Sequence, residues 1–284
     1  MALFKVFNKK KGKTPKKASK KTVKKVKSKP KTTKKKVIRE IAKLKTKKMK
    51  IAKKKISIKK TVEKNTPKAK IKPLINKMSD EKAYSLLKRY RIKVPDYAFC
   101  KDEKELEDAI KSIGFPMAMK VSGSNIIHKT EIDGIRLDIE TGEDAKKSFQ
   151  ELIKIKDTEK VLVQKMIREG YEIIVGGRKD PQFNKVIALG AGGIFTEFLK
   201  DVSFRVSPIT KEDAESMVME VRFSDLLLGG FRGQKPANKD AIVNTILTVS
   251  RILEANPKIK ELDINPLFAT HEDTFAADVR IILE

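Results

Sequence analysis

From Met78 onward, apolar residues recur at two alternating periods, and the elements follow from where each period starts and stops. Ser79-Asp80-Glu81 places a cap and acids at the head of a helix predicted through about Arg91. Val94-Pro95 stops it, and Tyr97–Cys100 is short and strand-like. Asp102–Ile113 opens on acids and sets Leu106, Ala109, Ile110 and Ile113 at helical spacing before Gly114. Strands are predicted at 116–121, 134–139, 160–166, 171–176 and 185–189, with a helix over 142–154. Helices at 211–221 and 239–255 follow, and the chain closes on strands near 261–268 and 275–282. Short links between neighbouring strands imply antiparallel sheets covered by helices, an α+β or α/β domain.

Before Met78 both periods are lost. Residues 1–78 hold 33 of the 65 basic residues and only two acids, Glu40 and Glu63. The net charge of +28 therefore resides in the first part, and residues 79–284 sum to −3. So much self-repulsion over so little apolar surface cannot offset the entropy of ordering, which predicts a disordered basic tail over 1–77 and one folded domain over 78–284. Val37, Ile38, Ile41, Leu44 and the apolar residues to Ile58 would make a basic amphipathic helix only against an acidic surface. Lysine lacks arginine's planar fork, so binding through this tail would be electrostatic and indifferent to sequence. A plain solvated extension, non-specific nucleic-acid attachment, and contact with an anionic membrane face or an acidic partner all remain open.

Composition narrows the chemistry. One cysteine, Cys100, excludes an intrachain disulfide framework and a cysteine zinc site, and two histidines, His128 and His271, exclude a histidine-rich metal centre. No apolar run is long enough for a transmembrane segment, and no signal-peptide pattern opens the chain, which predicts a cytoplasmic protein.

Four segments carry candidate chemistry. Lys120 closes the apolar run Met117-Ala118-Met119, where it either reaches solvent or an acid, or holds a phosphate. The small polar run Ser122–Gly134 contains His128, a surface residue or a nucleophile toward phosphorus. Gly190-Ala191-Gly192-Gly193 lets backbone N–H groups approach an anion, yet no Gly-Lys-Ser/Thr follows and no Gly-x-Gly-x-x-Gly opens a helix. In Glu261-Leu262-Asp263-Ile264-Asn265-Pro266-Leu267, strand geometry puts Asp263 and Asn265 on one face, with Asp278 expected on the next strand. Oxygen ligands of this kind suit Mg²⁺ on a polyphosphate.

Taken in order, six segments resemble the ATP-grasp domain of the NDP-forming acyl-CoA synthetases. They are Pro116–Val121, Ile127-His128-Lys129, Glu172–Gly176, Asp180-Pro181-x-Phe183, Gly192–Glu197 with Asp201, and Leu262–Leu267. The resemblance is nearest to the β subunit of ADP-forming acetyl-CoA synthetases and covers about 78–284. It implies an ATP-grasp fold of two lobes that clamp ATP or ADP. It implies that Lys120 contacts the phosphates, Gln164 and Met166 line the adenine pocket, and Glu172 meets the ribose or adenine edge. Asn265 and Asp278 match the Mg²⁺ ligands, Asp263 matches a residue that orients a phosphohistidine, and His128 matches the phosphate carrier. The implied reaction is acyl-CoA + ADP + phosphate ⇌ carboxylate + CoA + ATP, shared with a separate CoA-binding α subunit, because this chain has no CoA-binding Rossmann domain.

Two other readings stand beside this one. Another ATP-grasp carboxylate ligase, working without a phosphohistidine, would have no use for His128. A nucleic-acid-binding protein on an ATP-grasp scaffold would bind through residues 1–77, in a manner steeply weakened by salt.

Overall fold

The computed structural model describes residues 76–192, 201–231 and 233–284. Helix α1 (Asp80–Arg89) leads into strand β1 (Tyr97–Cys100), helix α2 (Glu103–Ile113), β2 (Met117–Ser122) and β3 (Ile135–Ile139). Helix α3 (Gly142–Leu152) and β4 (Lys160–Lys165) complete the first lobe. The second lobe holds β5 (Tyr171–Asp180), β6 (Asn184–Ala191), β7 (Val202–Val206), α4 (Lys211–Glu220), α5 (Ser224–Gly229) and α6 (Lys239–Ala255). It ends with β8 (Ile259–Ala269), β9 (Thr274–Ala276) and β10 (Val279–Leu283).

The smaller sheet has the order β1-β4-β2-β3, and the larger runs β10-β8-β5-β6-β7 with β9 paired to β8. Every pairing is antiparallel, as the short links require. Asp102 and Thr141 cap α2 and α3 by accepting the backbone N–H groups of Glu105 and Asp144. Thr210 and Asp213 close a reciprocal capping box on α4.

Strand β2 is buried at every position, so both of its faces are covered. Met117, Met119 and Val121 of β2, with Val161 and Val163 of β4, face a core closed by Leu106, Phe149 and Leu152. Leu162, one residue out of phase, belongs instead to the larger core. That core joins Tyr84 and Leu87 of α1 to the buried side of α6 and to Val175, Leu189, Leu262 and Ile264 of the larger sheet.

Three differences from the sequence reading stand out. Strand β7 and helix α5 were not expected; β7 turns Val202, Phe204 and Val206 outward, so its apolar alternation faces solvent rather than a core. The strand expected over 275–282 is interrupted: Ala277 and Asp278 form a break between β9 and β10, so Asp278 does not lie on a strand. The break is held open by backbone bonds from Ala277 N to Pro266 O at 3.0 Å and from Asn265 N to Asp278 O at 3.1 Å. Thirdly, Asn76 and Lys77, counted with the tail by charge, are fastened to the domain. Lys77 bridges Ile282, and the Leu283 N–H donates to Asn76 O at 2.8 Å.

The rest of the tail, with its amphipathic stretch and expected nucleic-acid attachment, lies outside the described residues, as do residues 193–197 of the glycine-rich segment. Among the described residues no helix is long and apolar enough to cross a membrane.

Candidate functional site

Strand alternation that sends the methionines of β2 into the small core turns Lys120 and Ser122 the other way, toward α1 and the Ala277–Asp278 break. The Lys120 ammonium is buried, donating to the Ala277 carbonyl at 2.7 Å and to Gln164 Oε1 at 3.2 Å. Burial pulls its pKa down to about 8, against the attraction of Asp278. Gln164, also buried, reaches the Tyr84 hydroxyl at 3.5 Å, and that hydroxyl donates to Ala277 O at 2.7 Å. One carbonyl thus receives a lysine from the smaller lobe and the tyrosine of α1.

Asp278 faces Lys129, whose Nζ lies 2.7 and 3.0 Å from its two carboxylate oxygens. Burial alone would raise the Asp278 carboxyl. The Lys129 and Lys120 ammoniums, with hydrogen bonds from Lys129 and the Val279 N–H, outweigh it and hold the group below its ordinary value. Asp263, on β8 between Gly176 of β5 and Arg280 of β10, shows the opposite balance. Burial pushes it up, and Arg280 only partly opposes this from 3.5 Å. His128 is exposed on the β2–β3 loop, within electrostatic reach of Asp263.

The structure therefore gathers Lys120, Gln164, Asp263, Asn265, Asp278 and His128 around the Ala277–Asp278 break. Asn265 arrives by register, since its neighbour Ile264 pairs with Val279. Met166 and Glu172 stand apart. Met166 is half-buried just past β4, and Glu172 is exposed on β5, four residues before Gly176 and so about 13 Å along the strand. Sequence reasoning missed Lys129 and Tyr84. Each reaches the break from more than a hundred residues away; Lys129 stands in the Ile127-His128-Lys129 segment with no role assigned to it, and no local pattern marks Tyr84.

Among the described residues no three His, Cys, Asp or Glu side chains converge as a metal cage. Asp278, whose carboxylate carries the Lys129 ammonium here, and Asn265, whose backbone N–H donates to the Asp278 carbonyl, bring two hard-oxygen side chains to the break. That set fits a Mg²⁺ ion that keeps waters and shares its remaining positions with substrate phosphates.

A family profile described as ATP-grasp domain matches residues 71–283. The chain belongs to the ATP-grasp family. Its ATP-grasp domain is 39% identical over 223 residues to the acetate–CoA ligase [ADP-forming] I subunit beta of Pyrococcus furiosus, covering 76% of this chain and 94% of that one. It is also 39% identical over 206 residues to the acetate–CoA ligase [ADP-forming] I of Archaeoglobus fulgidus, where the match takes in 70% of this chain but 30% of the relative's length. Among solved structures, a dinucleotide forming acetyl-coenzyme A synthetase 1 of Ca. Korarchaeum cryptofilum, in complex with coenzyme A and Ca-AMPCP, superposes with a TM-score of 0.70 at 34% identity. That match covers 74% of this chain and 94% of the other. The same protein with coenzyme A and Mg-AMPPCP, its phosphohistidine segment pointing towards the nucleotide binding site, gives a TM-score of 0.65 over 74% of this chain and 93% of that one, also at 34% identity.

Proposed function

We propose that this chain is the nucleotide-binding β subunit of an ADP-forming acetate–CoA ligase, and that His128 carries a phosphoryl group between ADP and a CoA-binding α chain. The observation that carries this reading is the juxtaposition of an exposed loop histidine with buried Lys120 and with Asp263 and Asp278. A ligase of this kind must move a phosphoryl group between two separate sites, and a loop-borne imidazole suits that task.

In the direction of ATP consumption, a ring nitrogen of His128 uses its lone pair to form an N–P bond with the γ-phosphorus. The bond from that phosphorus to the bridging oxygen breaks, and ADP leaves with its electron pair. Asp263 accepts a hydrogen bond from the N–H on the far side of the ring and stabilises the positive charge the ring gains. Lys120 holds phosphate oxygens as a fixed cation, and such positioning and electrostatics supply most of the catalysis in phosphoryl transfer. A Mg²⁺ ion held by Asn265 and Asp278 would neutralise further oxygen charge when bound. Gln164 and Met166 on the smaller lobe and Glu172 on β5 would receive the base and ribose. The separation between Glu172 and Gly176 suits a nucleotide laid along β5. Running in reverse, with acetyl-CoA, phosphate and the α chain, the same steps make ATP.

Incubating the purified chain with γ-labelled ATP and Mg²⁺ tests the relay without its partner. The expected label is acid-labile and alkali-stable, and is lost in His128→Ala while nucleotide still binds. Label retained in that variant, or no label on a wild-type chain that binds ATP, would assign the domain to a ligase without a phosphohistidine.

A further inference from the structure

The run from Ser124 to Asp133 holds His128 between two glycines that pack closely within the smaller lobe. A Cβ on Gly123 would stand 2.1 Å from the Asp157 carbonyl oxygen, and one on Gly134 would stand 2.5 Å from Val121 Cγ2. Just past the first glycine, Glu159 Oε1 accepts the Ser124 N–H at 2.8 Å and the Ser124 hydroxyl at 2.5 Å. The Glu159 N–H in turn donates to Ser122 O at 2.9 Å. The chain then folds back, the Ile126 N–H donating to Gly123 O at 3.2 Å. Of the three isoleucines in the run only Ile126 enters a core. It is 4% exposed within the small-lobe cluster, whereas Ile127 is half-buried and Ile132 is exposed. The Lys129 ammonium also reaches Asp278, but a Mg²⁺ ion would need that carboxylate in the loaded site, so the pair is no standing anchor.

We propose that Ile126 is the positioning residue of the His128 loop, a plug that seats it on the nucleotide side, and that the loop leaves by withdrawing this one side chain while Ser124 stays clasped to Glu159 as the pivot. The inference rests on the relay reading above and assigns the seating to a residue outside the phosphate and metal sites. With Ile126 seated, the His128 Cα lies two residues from a fixed point and can stray no more than about 7 Å from it. That tether keeps the imidazole within electrostatic reach of Asp263. With Ile126 withdrawn, the fixed point moves back to Ser124, four residues away, and the permitted radius doubles to about 14 Å. A histidine that serves a second site needs the longer tether. Burying one isoleucine favours the seated loop by roughly ten- to a hundredfold. That preference holds the loop by default and is small enough for a docking partner to reverse.

The test compares full-length wild type with Ile126→Asp and Ile126→Val. An unpaired carboxylate is too costly to bury in the small core, so Ile126→Asp should favour the withdrawn loop, whereas valine keeps the plug. Without nucleotide, backbone hydrogen exchange over residues 127–133 should quicken by about tenfold or more in Ile126→Asp and by only a few-fold in Ile126→Val. Helix α3, which walls the same core through Ala145, Phe149 and Leu152, should keep its wild-type rates. In single-turnover labelling from γ-labelled ATP, Ile126→Asp should slow His128 phosphorylation by about tenfold or more, because the competent loop is a minor species. The dissociation constant for nucleotide should stay within a few-fold of wild type, and Ile126→Val should recover most of the rate. Ile126→Ala, which forfeits the plug without adding a charge, serves the same comparison should the aspartate variant not fold. Unchanged exchange over 127–133, equal quickening in α3, or labelling at the wild-type rate overturns the proposal. If the wild type takes no label the relay reading fails, and the exchange pattern still decides whether Ile126 seats the loop.

Discussion

The two lobes bring opposite endowments to the seam between them. The smaller lobe, built on the four-stranded sheet, presents cations and donors: Lys120 from β2, Gln164 from β4, and His128 with Lys129 from the loop after β2. The larger lobe presents oxygens: Asp263 and Asn265 on β8, the Ala277 carbonyl and the Asp278 carboxylate. The apolar cores divide differently: one, around Met117 and Val163, lies within the smaller lobe, while the other packs Tyr84 of α1 and Leu162 of β4 onto Ile264 and the larger sheet. The second core therefore packs the two sheets together, and the polar groups meet along the same seam. Polar groups that would be costly inside either body are tolerated because each finds its complement across the gap.

That contrast is most easily broken at Asp278. Replacing it with alanine leaves the buried Lys129 and Lys120 ammoniums without their carboxylate, at an expected cost of about 3–5 kcal/mol in urea unfolding. A loss below about 1 kcal/mol would mean that the seam contributes nothing the cores do not already supply.

A smaller effect follows from Lys120. Its pKa is pulled down to about 8 in the free protein. Below that pH the side chain is already cationic and meets a phosphate without taking up a proton. Above it, binding must recruit a proton, so nucleotide affinity should fall by up to about tenfold per pH unit. Calorimetry in two buffers of different ionisation enthalpy should register that uptake near pH 9. Lys120→Met should bind more weakly and lose the dependence.

The smallest effect lies at the far end of the comparison. Arg168 pairs with Asp138 and Glu140 on the solvated surface of the smaller lobe, half-exposed on each side. Arg168→Ala should leave the urea unfolding midpoint close to that of wild type, because water screens such pairs and side-chain entropy opposes them. If it matched Asp278→Ala, the distinction between seam and surface would collapse.

Much of the fold was legible because local chemistry and tertiary context agree. Asp102 and Gly114 bracket α2 as capping rules require, and α6 was placed at its observed limits, Lys239–Ala255. What escaped did so for identifiable reasons. Strand β7 reads Val-Ser-Phe-Arg-Val, a clear alternation, but nothing in the sequence tells a reader that such a strand turns its apolar face outward at a sheet edge. Residues 275–282 looked like one strand because apolar residues run nearly through them. The break arises from bonds to Asn265 and Pro266 on another strand, which no local pattern encodes. The same holds within the site. Lys120, His128 and Asp263 carry residue types that announce chemistry. Lys129 gains meaning only through a carboxylate 149 residues away.

Lys77 carries a practical consequence for dissecting the basic extension. Its ammonium sits 2.8 Å from Asp80 in a pair that is 2% exposed on both sides, and donates to the Gly123 carbonyl at 3.1 Å. Gly123 opens the loop that holds His128. A truncation chosen by charge alone, at residue 77, would remove a buried ion pair and a brace at the root of that loop, and so mimic a catalytic role for the extension. Cutting before Asn76 separates the two questions.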